Sequence, residues 1–391
     1  MPTESRPILA CVVPFMSPFR LHFFRRIARE MPEFGVATLV TQNPRENVWD
    51  YGEHPEIGLE NFGQDTPWQH SAPVWKSVPA DWRAGGRIID WIAARPVRAV
   101  FLAGYAYPSH TRLILSCHRR RLPLMLWGDS NVLGDRSTGL KRIVKNALLP
   151  KLIRRCAAIL PCGTNGDAFF RRYGSRPDRT FLCPAEPDYD LIDHPAQSVL
   201  RGVGEKYRLD PARKRFMCCA RLVGLKRYDA AIDAFARIAG ERPDFDLLIV
   251  GDGEMREAWQ ARVPSHLASR VIWTGFVKDA AEIAALYRWC HVLVHPGDYE
   301  AWGMVIVEAA AAGMSIIASD VVGAAPDLIR DGQSGRIVPP GDVAAIARAM
   351  LELTTPDRFE SARSASREVA RAWRTDHDPI VGLRRAIDAV T

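Results

Sequence analysis

Short runs of apolar and β-branched residues alternate with amphipathic helical spacing from one end of the chain to the other. This rhythm predicts parallel sheets joined by crossover helices. In the first half the apolar runs fall at residues 8–13, 36–41, 97–103, 124–127, 158–161 and 180–183. Residues 43–86 break the pattern. Pro44, Pro55, Pro67, Pro73 and Pro79, with five tryptophans and tyrosines between Trp49 and Trp82, predict an irregular loop that shapes a substrate site. After Pro184 the residues Pro187, Asp188, Asp190, Asp193, His194 and Pro195 crowd into a turn-prone stretch, and a linker is expected over 187–212. A second series of strand patterns follows at 216–220, 246–250, 271–274, 292–295, 315–318 and 336–338. Two helical patterns, 356–373 and 379–390, close the chain.

The expected fold class is therefore α/β, with two doubly wound, Rossmann-like domains in tandem, 1–186 and 213–355. Residues 356–391 are expected to form C-terminal helices that cross back to the first domain. A length of 391 residues agrees, being too long for one ordinary core and suited to two. Hydrophobic residues at 47% and charged residues at 25% exclude a disordered or fibrous chain.

Charge changes the picture only through its placement. The formal net charge is +7, and between Lys141 and Arg176 nine lysines and arginines face a single carboxylate, Asp167. At its start Leu140, Ile143, Val144, Ala147, Leu148 and Leu152 share one side of a helical pattern, with cations on the other. Such a helix suits an anionic membrane surface. A core-packed helix with a solvated basic face fits the pattern equally well. The cations are not interleaved with aromatic stacking motifs, so nucleic acid is not an expected partner. The eight cysteines lie mostly in apolar runs with no two-residue gap between any pair, which predicts buried thiols of a cytoplasmic protein. The N-terminus lacks the long apolar core of a signal peptide. The longest apolar stretch, 301–319, carries Glu308 and Gly313, so no membrane-spanning segment is expected.

Three stretches carry candidate chemistry. The first runs from His295 through Pro-Gly-Asp-Tyr to Glu300, then Ala-Trp-Gly-Met to Glu308. A strand ends, a turn follows, and a helix starts near Trp302. Strand ends and helix starts are where open α/β sheets bind ligands, with free N–H groups and a positive dipole end. Glu308 sits among alanine and valine, where a buried carboxylate needs a partner such as a diol. The bland alternative is that Glu300 caps the helix and Glu308 pairs with a basic core residue. The second stretch, Cys219 to Tyr228, presents Arg221 and Lys226 across a loop at another strand end. Two such cations can neutralise a departing diphosphate, the part a metal plays elsewhere, although paired basic loop residues are often only solvated. The third is Val250-Gly-Asp-Gly253. No Gly-Lys-Ser/Thr follows it and the third glycine of a dinucleotide fingerprint is missing, so neither a P-loop nor an NAD enzyme is indicated.

Arg221 with Lys226, the Val-Gly-Asp-Gly turn, Trp273-Thr-Gly-Phe-Val277, the Glu300 to Glu308 pair and the run from Val322-Gly to Asp331-Gly-Gln-Ser-Gly-Arg-Ile-Val-Pro-Pro-Gly-Asp342 agree in order and spacing. Together they resemble the nucleotide-sugar domain of glycosyltransferase family 4, over roughly residues 215 to 350. The resemblance implies a GT-B fold, a retaining glycosyl transfer, no cofactor and no metal. It implies that Arg221 and Lys226 contact the donor diphosphate, that Glu308 holds the ribose hydroxyls, and that Glu300 faces the transferred sugar. Gly251 belongs to the donor turn. Backbone amides around Trp302, Gly303 and Met304 would bind sugar hydroxyls or phosphate, and Gly275, Phe276 and Val277 would lie beside the base. Trp302 stands where phenylalanine is commoner, which implies a reshaped sugar pocket.

In the first domain Pro14-Phe-Met-Ser-Pro-Phe-Arg20 resembles the proline-containing loops of some family members, and Arg20 is expected to reach a phosphate. Where many relatives place a histidine, this chain reads Trp127-Gly-Asp129-Ser130, which makes Asp129 the candidate for orienting or deprotonating the acceptor hydroxyl. An ordinary helix cap is the alternative for Asp129. His110 is a second candidate. The expected partners are a UDP- or GDP-sugar donor and a glycan or lipid-linked acceptor, with a place at the cytoplasmic face of a membrane. Two other functions share the fold: a nucleotide-sugar epimerase, and a non-catalytic nucleotide-sugar-binding module.

Overall fold

The structure, a computed structural model, describes residues 6–42, 53–64, 74–135 and 137–391, with the side chains of 74–76 left aside. The chain divides into two units, Met1–Ala185 with His377–Thr391, and Glu186–Asp376.

The first unit is built on β1 (Ile8–Val13), β2 (Gly35–Val40), β3 (Leu59–Asn61), β4 (Val97–Ala103), β5 (Leu124–Gly128) and β6 (Ala158–Pro161), in the order β3-β2-β1-β4-β5-β6. The second uses β7 (Lys214–Cys219), β8 (Phe245–Val250), β9 (Val271–Gly275), β10 (Val292–His295), β11 (Ser315–Ser319) and β12 (Gly335–Val338), in the order β12-β11-β10-β7-β8-β9. Every ladder between these strands is parallel. Counted within its own unit, each sheet reads 3-2-1-4-5-6, the doubly wound order. The central strand Ile8–Val13 is apolar throughout because helices cover both faces, and Phe245–Val250 is buried along its length with Asp246 its one polar residue, paired with Arg213.

Four expectations are corrected. The run 180–183 makes only an isolated bridge from Thr180 to Ile159, and the sixth strand of the first sheet, at the edge opposite Ala158–Pro161, is instead Leu59–Asn61. Its three residues are mostly exposed and polar, so they carry no hydrophobic signal. Within 43–86, residues 43–52 and 65–73 lie outside the described residues, but Val74–Ala93 is a helix despite Pro79 in its interior. Ala80, Ala84, Ile88 and Trp91 repeat at helical spacing and are buried, and that burial outweighs one lost backbone hydrogen bond. The segment 187–212, expected as a linker, contains the helices Tyr189–Asp193 and Gln197–Lys206 and groups with the second unit. Asp188 caps the first of these by accepting from the Asp190 amide at 3.1 Å, so the acidic, proline-rich composition marked a helix start. The helix expected to begin near Trp302 begins at Met304.

Of the C-terminal helices, Pro356–Asp376 lies in the second unit and Pro379–Val390 in the first. Asp378 caps the latter through the amides of Ile380 and Val381 and accepts from Arg26 at 2.8 Å.

Candidate donor site in the second unit

In an open parallel sheet the loops leaving two adjacent strands diverge where the strand order reverses, and the crevice between them takes the ligand. In the second unit that point lies between β7 and β10, which pair through Phe216 with Val292 and Met217 with Leu293. The loop after β7 ends in a short 3-10 turn, Gly224–Lys226. The loop after β10 crosses against it, and the Asp298 amide donates to the Leu225 carbonyl at 2.9 Å. Arg227 adopts a left-handed φ of 53°, which a non-glycine residue holds only when its surroundings impose it. Its guanidinium is held by Asp298 at 3.1 Å and Asp229 at 3.5 Å.

This crossing brings together residues far apart in sequence. Lys226 Nζ donates to Glu300 Oε2 at 2.5 Å. The same oxygen lies 3.1 Å from Nε2 of His295, the last residue of β10, which is fully buried. His295 Nδ1 in turn lies 3.4 Å from the Tyr228 hydroxyl. Burial alone would push the Glu300 carboxyl up, but the hydrogen bond and charge from His295 and the charge of Lys226 outweigh it and draw the carboxyl down to about 2. Glu300 is thus an anion at neutral pH. It accepts hydrogen bonds and donates none.

Glu308 occupies the second turn of the helix Met304–Ala311 and accepts from the Tyr287 hydroxyl at 2.6 Å. Burial raises its carboxyl above the ordinary range, and the bond from Tyr287 only partly offsets this. Cys219, at the end of β7, shares the neighbourhood. Its thiol is pushed up to about 12, first by burial and then by the charge of Glu308. The N-cap position is Gly303, which has no side chain, and the partner of Glu308 among the described residues is a phenol and not a basic residue. Gly303 precedes the helix with φ 101°, and a Cβ there would come within 3.2 Å of Glu300, Ile306 and Val322. Only glycine lets the chain turn there and leave the first helical N–H groups outward.

The other sequence candidates separate. Arg221 is exposed on the loop after β7, with no ion pair among the described residues. Gly251, φ 130°, lies against the same loop, where a Cβ would stand 2.0 Å from the Ala220 carbonyl oxygen, and its amide donates to Gly275 at 3.0 Å. Phe276 is 50% exposed, whereas Val277 is buried, so of the two only the phenylalanine side chain is available to a base. The Trp302 indole is buried against Trp373, with ring centroids 5.9 Å apart, which leaves the backbone of 302–304 as its contribution to a site.

In the first unit the equivalent strand ends hold Arg20, Asp129 and His110. The Arg20 guanidinium donates to the Phe15 carbonyl at 2.7 Å and lies 4.5 Å from the centre of the Phe15 ring. Asp129 follows β5 directly and is exposed. His110 is fully buried, its Nδ1 2.9 Å from the Gly104 carbonyl, while its Nε2 has no hydrogen-bond partner among the described residues. Burial pulls its pKa down to about 4, so the ring is neutral at pH 7. Buried and neutral, it is placed to position the Gly104 turn.

Two doubly wound sheets in one chain, with charged side chains gathered at the switch point of the second, define the GT-B class of fold. Residues 213–355 match the family described as glycosyl transferases group 1. It is 34% identical over 183 residues to the GDP-mannose-dependent alpha-(1-6)-phosphatidylinositol monomannoside mannosyltransferase of Mycolicibacterium smegmatis, covering 44% of this chain and 46% of that protein. The chain thus spans about half the length of this curated relative. In structure it is similar to the sucrose-phosphate synthase of Thermosynechococcus elongatus, with a TM-score of 0.76 over 99% of this chain and 100% of the other at 18% identity. Alr3699/HepE of Anabaena, in complex with UDP and glucose, gives 0.72 over 98% of each chain at 16% identity. Likeness at these identities speaks for the fold.

Sequence reasoning named Lys226 and Glu300 but not their contact, and it missed His295, Tyr228 and Tyr287 as parts of the site. His295 carried a readable signal, a histidine closing an apolar strand five residues before a carboxylate. Tyr287, inside an ordinary helix, carried none.

Proposed function

We propose that this chain is a retaining, metal-independent glycosyltransferase that takes a sugar from a UDP- or GDP-sugar and passes it to a hydroxyl of a glycan or lipid-linked acceptor in glycolipid or cell-surface polysaccharide synthesis. The observation that carries the reading is the contact of Lys226 with Glu300 and His295 at the switch point of the second sheet. A sugar diphosphate presents an anion and a set of hydroxyls side by side. Lys226 and Arg221 match the first, and the Glu300 and Glu308 carboxylates match the second.

In this reading the bond from the anomeric carbon to the diphosphate oxygen breaks while the acceptor hydroxyl attacks from the same face, and the hydroxyl proton leaves with the departing phosphate. Charge builds on the leaving oxygen, and Lys226 and Arg221 stabilise it without a metal. Lys226 contacts Glu300, so a bound diphosphate competes with Glu300 for its ammonium. Glu300, freed in part, accepts from sugar hydroxyls. Glu308 accepts from the ribose, with Tyr287 orienting it. Acceptor recognition falls to the first unit, where Asp129 orients the acceptor hydroxyl and Arg20 an acceptor phosphate. The mycobacterial relative uses GDP-mannose and a phosphatidylinositol mannoside by its name, and HepE was solved with UDP and glucose, so both bases and a glycolipid acceptor belong in the screen.

The test is a thermal-shift screen against UDP, GDP and their sugars, followed by NMR of the anomeric configuration of the product. A shift with one nucleotide series and an axial donor giving an axial product support the reading. No shift with any nucleotide sugar, or an inverted product, rejects it.

A further inference from the structure

The helix Gly139–Ile153 in the first unit has two unlike faces. Its inner face is anchored: Leu149 and Ile153 are buried, and Lys145 Nζ pairs with the enclosed Asp135 at 2.8 Å while lying 4.8 Å from the centre of the Phe169 ring. Its outer face is apolar. Leu140, Ile143, Val144 and Leu148 are 74%, 66%, 46% and 54% exposed, and with Ala147 they follow the spacing i, i+3, i+4, i+7, i+8. A continuous apolar stripe normally turns inward, and one turned to solvent marks a surface that something covers. The core-packed arrangement that the sequence left open is thereby corrected, since only Leu149, Leu152 and Ile153 pack inward.

Charge says what covers it. Lys141, Lys151 and Arg154 border the stripe and are exposed, with Arg155 beside them. From Lys141 to Arg176 the sole carboxylate is Asp167, already paired with Arg171 at 2.7 Å. A soluble protein partner would need an apolar groove with an acidic rim; a bilayer with anionic headgroups offers that combination over any length. The helix has 15 residues and so spans roughly 22 Å at the standard rise, short of the roughly 30 Å needed to cross a hydrocarbon core. We propose that this helix lies in the plane of an anionic membrane, its apolar stripe in the headgroup–acyl boundary and its cations on the phosphates. The proposal stands apart from the donor-site reading and needs no nucleotide.

The full chain, without donor, is sedimented with vesicles of phosphatidylcholine alone and of equal parts phosphatidylcholine and phosphatidylglycerol at physiological ionic strength. Binding to the second and not the first is expected. The pair Ile143→Ser with Leu148→Ser should weaken it about tenfold or more, since both side chains lose their partition into the boundary. Lys141→Gln with Lys151→Gln should weaken it by about tenfold through lost attraction to the headgroups. Each pair should leave the melting temperature and any nucleotide-dependent shift as in the parent chain. Absence of sedimentation by the parent chain overturns the proposal, and so does equal sedimentation by the serine pair. A concentration-dependent dimer that the serine pair dissolves, with no vesicle binding, assigns the stripe to a second copy of the chain and equally overturns it.

Discussion

The two sheets share one wiring and carry opposite chemistry at the same place. In the second unit the switch point between β7 and β10 gathers an ammonium, a carboxylate held down to about 2 and a buried imidazole in direct contact. In the first unit the corresponding point, between β1 and β4, holds a guanidinium lying on phenylalanine rings and a buried, neutral histidine. The topology supplies a crevice in both cases, and the residues that line it decide whether that crevice is electrostatic or apolar. A charged, preorganised crevice suits a diphosphate. An aromatic one that holds Arg20 and Asp129 among the described residues suits a less highly charged ligand.

The largest effect that tests this contrast is expected at Lys226. Lys226→Ala should lower sugar transfer on the order of 100-fold or more while leaving nucleotide affinity less affected, because the charge counts most as the leaving group departs. Single-turnover rates alongside equilibrium binding separate the two. Turnover close to that of the parent chain would erase the distinction between the sheets.

Glu308→Gln should weaken the donor by about tenfold through loss of a charge-assisted hydrogen bond. It should also raise the melting temperature. Because burial raises the Glu308 carboxyl in the folded chain, its ionisation disfavours folding at neutral pH, and a neutral isostere removes that cost. Weaker binding with a lower melting temperature would mean that Glu308 is chiefly structural.

In the first unit, His110 resists protonation down to about 4 from an ordinary 6.5, so the unfolded chain takes up the proton first and stability falls as pH drops through that window. The loss is on the order of 3 kcal/mol. His110→Gln should flatten this dependence in denaturation measured at pH 7 and pH 4.5, with donor affinity unchanged. The smallest effect is expected from Glu300 under mild acid. Its carboxyl is held near 2, so donor affinity should show no step from this group between pH 7 and pH 4, and the stability it contributes is lost only as pH falls from about 4.5 towards 2. A titration of affinity with an inflection near 4.5 that Glu300→Gln removes would show that His295 and Lys226 do not hold it down.

The alternation of apolar runs and helical spacing was enough to place eleven of the twelve strands, since a buried parallel strand must be apolar along its length and a covering helix must be amphipathic. The polar edge strand Leu59–Asn61 escaped because it carries no apolar pattern of its own, and the helix around Pro79 because the proline masked an apolar repeat at helical spacing. Residue types at strand ends also marked Arg221, Lys226, Glu300 and Glu308 as a group. What one dimension does not contain is distance. The Lys226 to Glu300 contact spans 74 positions and follows from β7 and β10 lying side by side. Direction was likewise decided in three dimensions: Trp302 turned inward to Trp373, Phe276 outward, and the stripe of Gly139–Ile153 away from its own core. A sequence fixes the period of a helix, but which side faces the interior depends on what the rest of the chain brings to it.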